Sequence, residues 1–213
     1  MVNLSLRERK YAKTKSDLMR AVVSRLASQS LPEVAVKEVC HDVQVSETTF
    51  FNYFAAKHEV LVYFVQLWSI DANWSMQKAL EAGQSSLNAI HVMFDRTAYA
   101  EAQSPGVMAA IVAFQAQNRE QLSFTPLTPA EYQLHFSDMP GIEQFKATGV
   151  ENLLFDQLVA AQQNGELPAA IEVEALGLAL LSIFFMTPIL QEYKKEEELR
   201  KVYRKQLKQL FAL

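Results

Sequence analysis

Two interruptions, the Leu31-Pro32 step and the polar-flanked turn at Val43 to Val45, divide residues 10–57 into three short apolar-patterned pieces, and this spacing narrows the fold sharply. Before the first break, Leu18, Val22 and Leu26 recur every fourth residue, as the buried stripe of a helix over about Lys10 to Ser30 does. The residue before a proline disfavours helical backbone, so that helix is expected to stop there. Val36, Val39 and Cys40 mark a second helix over Ala35 to Asp42, and Ser46 is a residue type that caps a third, containing Phe50, Phe51 and Tyr53. Helices this short do not persist alone in water. They are therefore expected to share one small core, built by Val36, Val39, Val45, Phe50 and Phe54.

The rest of the chain also reads as helical. Leu61, Val65, Trp68 and Ala72 give one apolar face to a helix from Lys57 to Glu81, and Gly83 allows a bend before a helix over Ser86 to Ala102. Val107 to Gln117 reads as a compact helix after Pro105-Gly106, and the proline-punctuated stretch from Leu122 to Gly141 holds a short one around Glu131 to Phe136. A helix over Ile142 to Asn164 ends at Gly165. Two more follow, Ala175 to Leu190 and Glu192 to Phe211, divided or kinked near Pro188. The pattern predicts an all-α chain: a three-helix domain over residues 1–57, then a helical domain over 58–213.

Composition excludes several classes. Half of the residues are apolar, enough for a core without disulfides, and Cys40 is the only cysteine, placed on the apolar pattern of its helix. Met1 to Lys15 lacks the apolar run of a signal peptide, and Ala175 to Leu190 falls short of a confident membrane span and reads as a buried helix. These features point to a cytoplasmic protein with no membrane partner. The histidines at 41, 58, 91 and 135 make no compact metal signature; His91 and Asp95, one turn apart, read as a surface pair. No glycine-rich phosphate loop or nucleophile elbow follows a predicted strand, so neither an enzyme nor a cofactor is expected.

The formal charge of −4 is unevenly placed: residues 1–57 carry nine Lys/Arg against six Asp/Glu, whereas residues 58–213 carry eleven against eighteen. A cationic end on an acidic body suits local phosphate binding, with the body repelled by DNA. In a helix-turn-helix the third helix enters the major groove, braced by the first two. Glu47, Thr48, Thr49, Asn52 and Tyr53 then lie near its edge. Asn52 suits bidentate pairing with adenine, Thr49 suits a base or a phosphate, and Lys57 at a helix start suits a phosphate.

The order Val36-x-x-Val39-Cys40, Val45-Ser46, Thr49-Phe50, Phe51-Asn52-Tyr53-Phe54, with Lys57 and Leu61 beyond, closely resembles the tetracycline-repressor (TetR) family of bacterial regulators, most specifically over residues 10–61. The resemblance implies a ligand-responsive transcriptional repressor that binds a palindromic operator as a homodimer. It makes Glu47, Thr48, Thr49, Phe51, Asn52, Tyr53 and Lys57 the DNA-facing candidates. Three positions depart from the family pattern. Gln44 stands where glycine is usual, Phe51 replaces a tyrosine, and Val34 replaces a capping threonine.

The resemblance assigns the last two helices to a four-helix dimer interface; the alternative is that they complete a monomer core. It places an inducer cavity among the middle helices, with Trp68, Phe94, Tyr99, Met108, Phe114, Phe136, Phe145 and Phe155 as candidate walls. A helical small-molecule-binding protein without DNA activity is the competing reading.

Overall fold

A computed structural model describes residues 4–118, 123–190 and 195–212, and every regular element among them is helical. The α-helices are α1 (Leu6–Val23), α2 (Val36–Val43), α3 (Glu47–Tyr53), α4 (Glu59–Glu81), α5 (Ser86–Gln103), α6 (Val107–Gln117), α7 (Pro129–His135), α8 (Val150–Gln163), α9 (Val173–Leu190) and α10 (Glu196–Phe211). The fold is all-α, with N-terminal helices in a helix-turn-helix arrangement followed by a helical bundle. The packing divides into two compact units, Met1–Leu67 with Ser104–Lys146, and Trp68–Gln103 with Ala147–Leu213.

In the first unit α1 begins four residues before the expected Lys10. Ser5 and Glu8 form a reciprocal cap, the Glu8 carboxylate accepting the Ser5 N–H at 2.8 Å and the Ser5 hydroxyl accepting the Glu8 N–H at 3.3 Å. The helix also ends earlier than expected, tightening after Val23 into a 3-10 turn over Ser24–Ala27. Leu18, Val22, Val34, Val39, Phe50 and Phe54 are buried together with Cys40. The N-cap of α2 is Ala35, which has no side chain to offer the first helical N–H groups.

Gln44 ends α2 in the left-handed region, at φ 58 and ψ 46. It is the sole non-glycine residue at positive φ among the described residues. An L-side chain there costs about 1–2 kcal/mol, of which glycine's greater unfolded freedom would give back part. Gln44→Gly is expected to raise stability by about 0.5–1 kcal/mol in urea unfolding, with the midpoint shifted and the slope unchanged.

The short helix expected at Glu131 to Phe136 starts earlier, because Pro129 occupies the first turn and Thr128 caps it. Glu131 completes that cap and is 1% exposed. Its carboxylate also accepts from Lys15 Nζ of α1 at 2.8 Å, and the same ammonium lies 4.0 Å from the centre of the Tyr63 ring. Tyr63 Oη is 3.2 Å from His135 Nε2. Leu4, Ala12 and Ala130 pack beside this group and seat α7 on the first half of α1.

The single helix expected over Ile142 to Asn164 is a 3-10 turn, Ile142–Gln144, followed only at Val150 by α8. Side chains have taken the intervening backbone groups. Tyr132 Oη donates to the Phe145 carbonyl at 3.0 Å, while Ser69 Oγ donates to the Thr148 carbonyl at 2.7 Å and accepts its N–H at 2.9 Å. At the other end α8 stops as expected, with Gly165 at φ +74.

In the second unit α5 packs against α8 and α10, and α9 against α8 and α10. The Glu166 carboxylate caps α5 from a distance, accepting the N–H groups of Ser86 and Leu87 at 2.9 Å each. Gly177 brings α9 against α8, since a β-carbon there would sit 2.5 Å from the Phe155 ring. Phe94 stands edge-on to Tyr203 at 4.9 Å and to Phe184 at 5.7 Å.

α9 runs through Pro188 and ends at the expected Leu190, starting at Val173 rather than Ala175. A proline leaves the carbonyl four residues back without its helical donor. Here that carbonyl belongs to Phe184, and Tyr203 Oη donates to it at 3.0 Å. The expectation that this helix is buried also needs correction. One face is buried, while Leu178 is 63%, Met186 40% and Leu190 73% exposed. Val173–Leu190 is long and apolar enough to cross a membrane by length and composition, the only such helix among the described residues. The stripe Leu199, Tyr203 and Leu207 of α10 is spent inside its own unit. Glu192, the expected start of that last helix, lies outside the described residues.

Candidate nucleic-acid interface

The candidate site is built on α3. Ser46 Oγ accepts the Thr49 N–H at 3.0 Å and pairs with the Thr49 hydroxyl at 2.8 Å, fixing the first turn. Phe50 points inward and anchors the helix in the core, in contact with Phe54 at 5.8 Å. With Phe50 inside, helical geometry turns Thr48, Phe51 and Asn52 away from the core, and these three are exposed together with Glu47, the first residue of the helix. Phe51 is 49% exposed, an apolar ring offered to solvent beside Asn52. These residues form one short polar and aromatic strip.

Two of the sequence-selected residues have partners of their own. Thr49 is half-buried and its hydroxyl is engaged by Ser46. Lys57 is half-buried, and its ammonium donates to the carbonyls of Pro32 and Val34, both at 2.8 Å. Burial pushes this amine below its ordinary value. Two of its three N–H groups thus hold the segment before α2, and α4 starts at Glu59 rather than at Lys57. The Glu59 carboxylate instead reaches back to the Ala55 N–H at 2.8 Å.

Tyr53 meets a residue that the sequence reading did not single out. Its ring lies 4.6 Å from that of Tyr11 on α1. The pair ties the end of α3 to the second turn of α1. Spacing along the sequence carries no sign of this contact, since 42 positions separate the two rings.

The residues selected as ligand walls fall into both units. Met108 and Phe136 are buried in the first, where Phe114 stacks on His58 at 4.9 Å and Phe145 carries the carbonyl bound by Tyr132. In the second, Phe94 is buried in the aromatic cluster, Phe155 presses on Gly177, and Trp68 lies 5.4 Å from Phe184. Tyr99 is exposed and lies 5.1 Å from the Arg96 guanidinium. The Trp68 indole N–H and the Gln157 carbonyl oxygen are buried without hydrogen-bond partners. A groove of about 830 Å³ runs between α5 and α10, lined by His91, Asp95, Arg204, Lys208 and Phe211 among others. None of the eight selected residues lines it.

No family model and no curated protein matches the chain. Solved structures do. The protein solved to show the molecular basis for control of antibiotic production by bacterial hormones aligns with a TM-score of 0.65 at 19% identity, over 94% of this chain and 96% of that one. The transcriptional regulator FadR from Bacillus subtilis, in complex with stearoyl-CoA, aligns at 0.62 and 13% identity over 92% and 97%. FadR of Thermus thermophilus, a TetR-family transcriptional repressor in complex with lauroyl-CoA, aligns at 0.55 and 18% identity over 92% of each chain. The chain has the fold of these regulators along nearly its whole length.

Proposed function

We propose that this protein is a ligand-responsive transcriptional repressor that binds a palindromic operator as a homodimer in the cytoplasm. The observation that carries the reading is α3 itself, a capped helix anchored by Phe50 and presenting Glu47, Thr48, Phe51 and Asn52 to solvent. Asn52 is assigned to base reading, and Thr49 and Phe51 to apolar contact with a thymine methyl or the sugar edge. Tyr53 is assigned to the backbone.

The exposed apolar face of α9 supports a dimer. A second copy would cover Leu178, Met186 and Leu190. Two recognition helices would then address half-sites about 34–36 Å apart. The unpartnered Trp68 N–H and Gln157 oxygen support an interior ligand, since buried polar atoms ordinarily find partners. The relatives solved with fatty acyl-CoA show that the fold accommodates large amphipathic molecules. Ligand occupancy would shift the spacing of the recognition helices through α4, which contributes residues to both units.

Unbiased selection of bound DNA tests the reading, and a palindrome is the expected product. Asn52→Ala is expected to weaken binding to that palindrome by about 1–3 kcal/mol while relaxing preference at one symmetric base pair. A folded dimer that enriches no sequence at modest salt would leave the small-molecule-binding alternative.

A further inference from the structure

A duplex is held chiefly through its phosphates, and positive side chains beside the recognition helix supply that hold. The outward strip of α3 contains no cation, and Lys57 spends most of its donors on Pro32 and Val34. The needed charge must come from another element. On α1, Lys13 is paired with Asp17, Lys15 with Glu131, and Arg25 just beyond the helix with Asp42. Glu8, the one acid in the first turn, is engaged by Ser5.

On α1, Arg7, Arg9, Lys10 and Arg20 remain exposed with no ion pair among the described residues, as does Lys37 on α2. The Tyr11–Tyr53 contact fixes which side of α1 adjoins α3. At about 100° per residue, Arg7 projects within about 40° of Tyr11 and Lys10 lies next to Arg7 on the side away from buried Ala12. Arg9 and Arg20 project from the opposite side. We infer that Arg7 and Lys10 form a phosphate clamp that flanks the major-groove site, with Tyr11 as the bridge joining it to α3. This inference rests on the DNA-binding reading and names a surface outside the helix-turn-helix itself.

The test uses the full chain and the palindrome obtained by selection, with binding followed by fluorescence anisotropy across a salt series. Arg7→Ala with Lys10→Ala is expected to lower affinity at least about tenfold at low salt, equally for the palindrome and for single-base variants. The slope of log K against log salt should fall by about 3–4 for a dimer, from about 0.9 per phosphate released. Arg7→Lys with Lys10→Arg should restore both, and both variants should keep the parent's thermal midpoint. An unchanged slope and affinity in the alanine variant would overturn the clamp while leaving DNA binding intact. If the parent protein enriches no sequence, the clamp and the DNA-binding reading fall together.

Discussion

Lys15→Ala is expected to destabilise the protein by about 3 kcal/mol at pH 7, because it strands the Glu131 carboxylate in a nearly closed site. Burial pushes this carboxyl up, but hydrogen bonds from Lys15 and from the Thr128 N–H and hydroxyl outweigh it and hold the group below the usual carboxylate range. Loss of the ammonium removes the largest favourable partner. Lys15→Met with Glu131→Gln is expected to recover most of the loss, since glutamine keeps the cap on α7 and no charge is left unpaired. Urea unfolding of the single and double variants measures both.

The same cluster sets a pH dependence. His135 is pushed down to about 4, chiefly by burial and secondarily by Arg20, so the unfolded chain takes up its proton first. Stability is therefore lost as pH falls from about 6.5 to about 4, by about 3 kcal/mol if that difference is fully expressed. Glu131 adds to the loss at lower pH. With its folded value depressed, its contribution is complete above about 4.3 and disappears as pH drops through the folded value. In the Lys15→Ala variant the carboxyl protonates more easily. The gap between parent and variant is expected to narrow in acid, whereas a lost packing contact would leave it constant.

Gly106→Ala is the second large effect. Gly106 precedes α6 at φ +84, and a β-carbon there would lie 2.1 Å from the Leu26 carbonyl oxygen and 2.8 Å from its carbon. Both are backbone atoms of the 3-10 turn Ser24–Ala27, which cannot swing aside as a side chain does. Positive φ alone costs about 1–2 kcal/mol, and the overlap should bring the total above about 3 kcal/mol. Gly83→Ala is the control. It has a similar φ of +80 and nothing within 4 Å, so its cost should stay near about 1 kcal/mol. Equal losses at the two positions would show that the contact with Leu26 does not matter.

Local rules carried far in this chain. Ser46 caps α3 because a hydroxyl before a helix satisfies an open N–H whatever surrounds it, and Gly165 ends α8 because its backbone reaches positive φ without strain. A helix boundary failed where a distant side chain took backbone groups, as Ser69 does at Thr148, while the Tyr203 hydroxyl supplies the donor that the Phe184 carbonyl lacks as α9 runs through Pro188. Partners 79 and 19 residues apart leave no periodic trace.

The candidate interface divides along the same line. Apolar spacing determined that α1 to α3 share a core and that Thr48 and Asn52 turn away from it, because helical geometry fixes the outward face once Phe50 is inside, whereas the outward place of Phe51 came from the family resemblance. Tertiary structure alone decided how charge and aromatic surface are used. It withdrew most of the Lys57 ammonium into Pro32 and Val34, set Tyr11 against Tyr53, and left one face of α9 uncovered. Residue type and spacing determine which side of a helix is apolar, but the availability of a charge or a ring depends on neighbours that only the folded chain brings near.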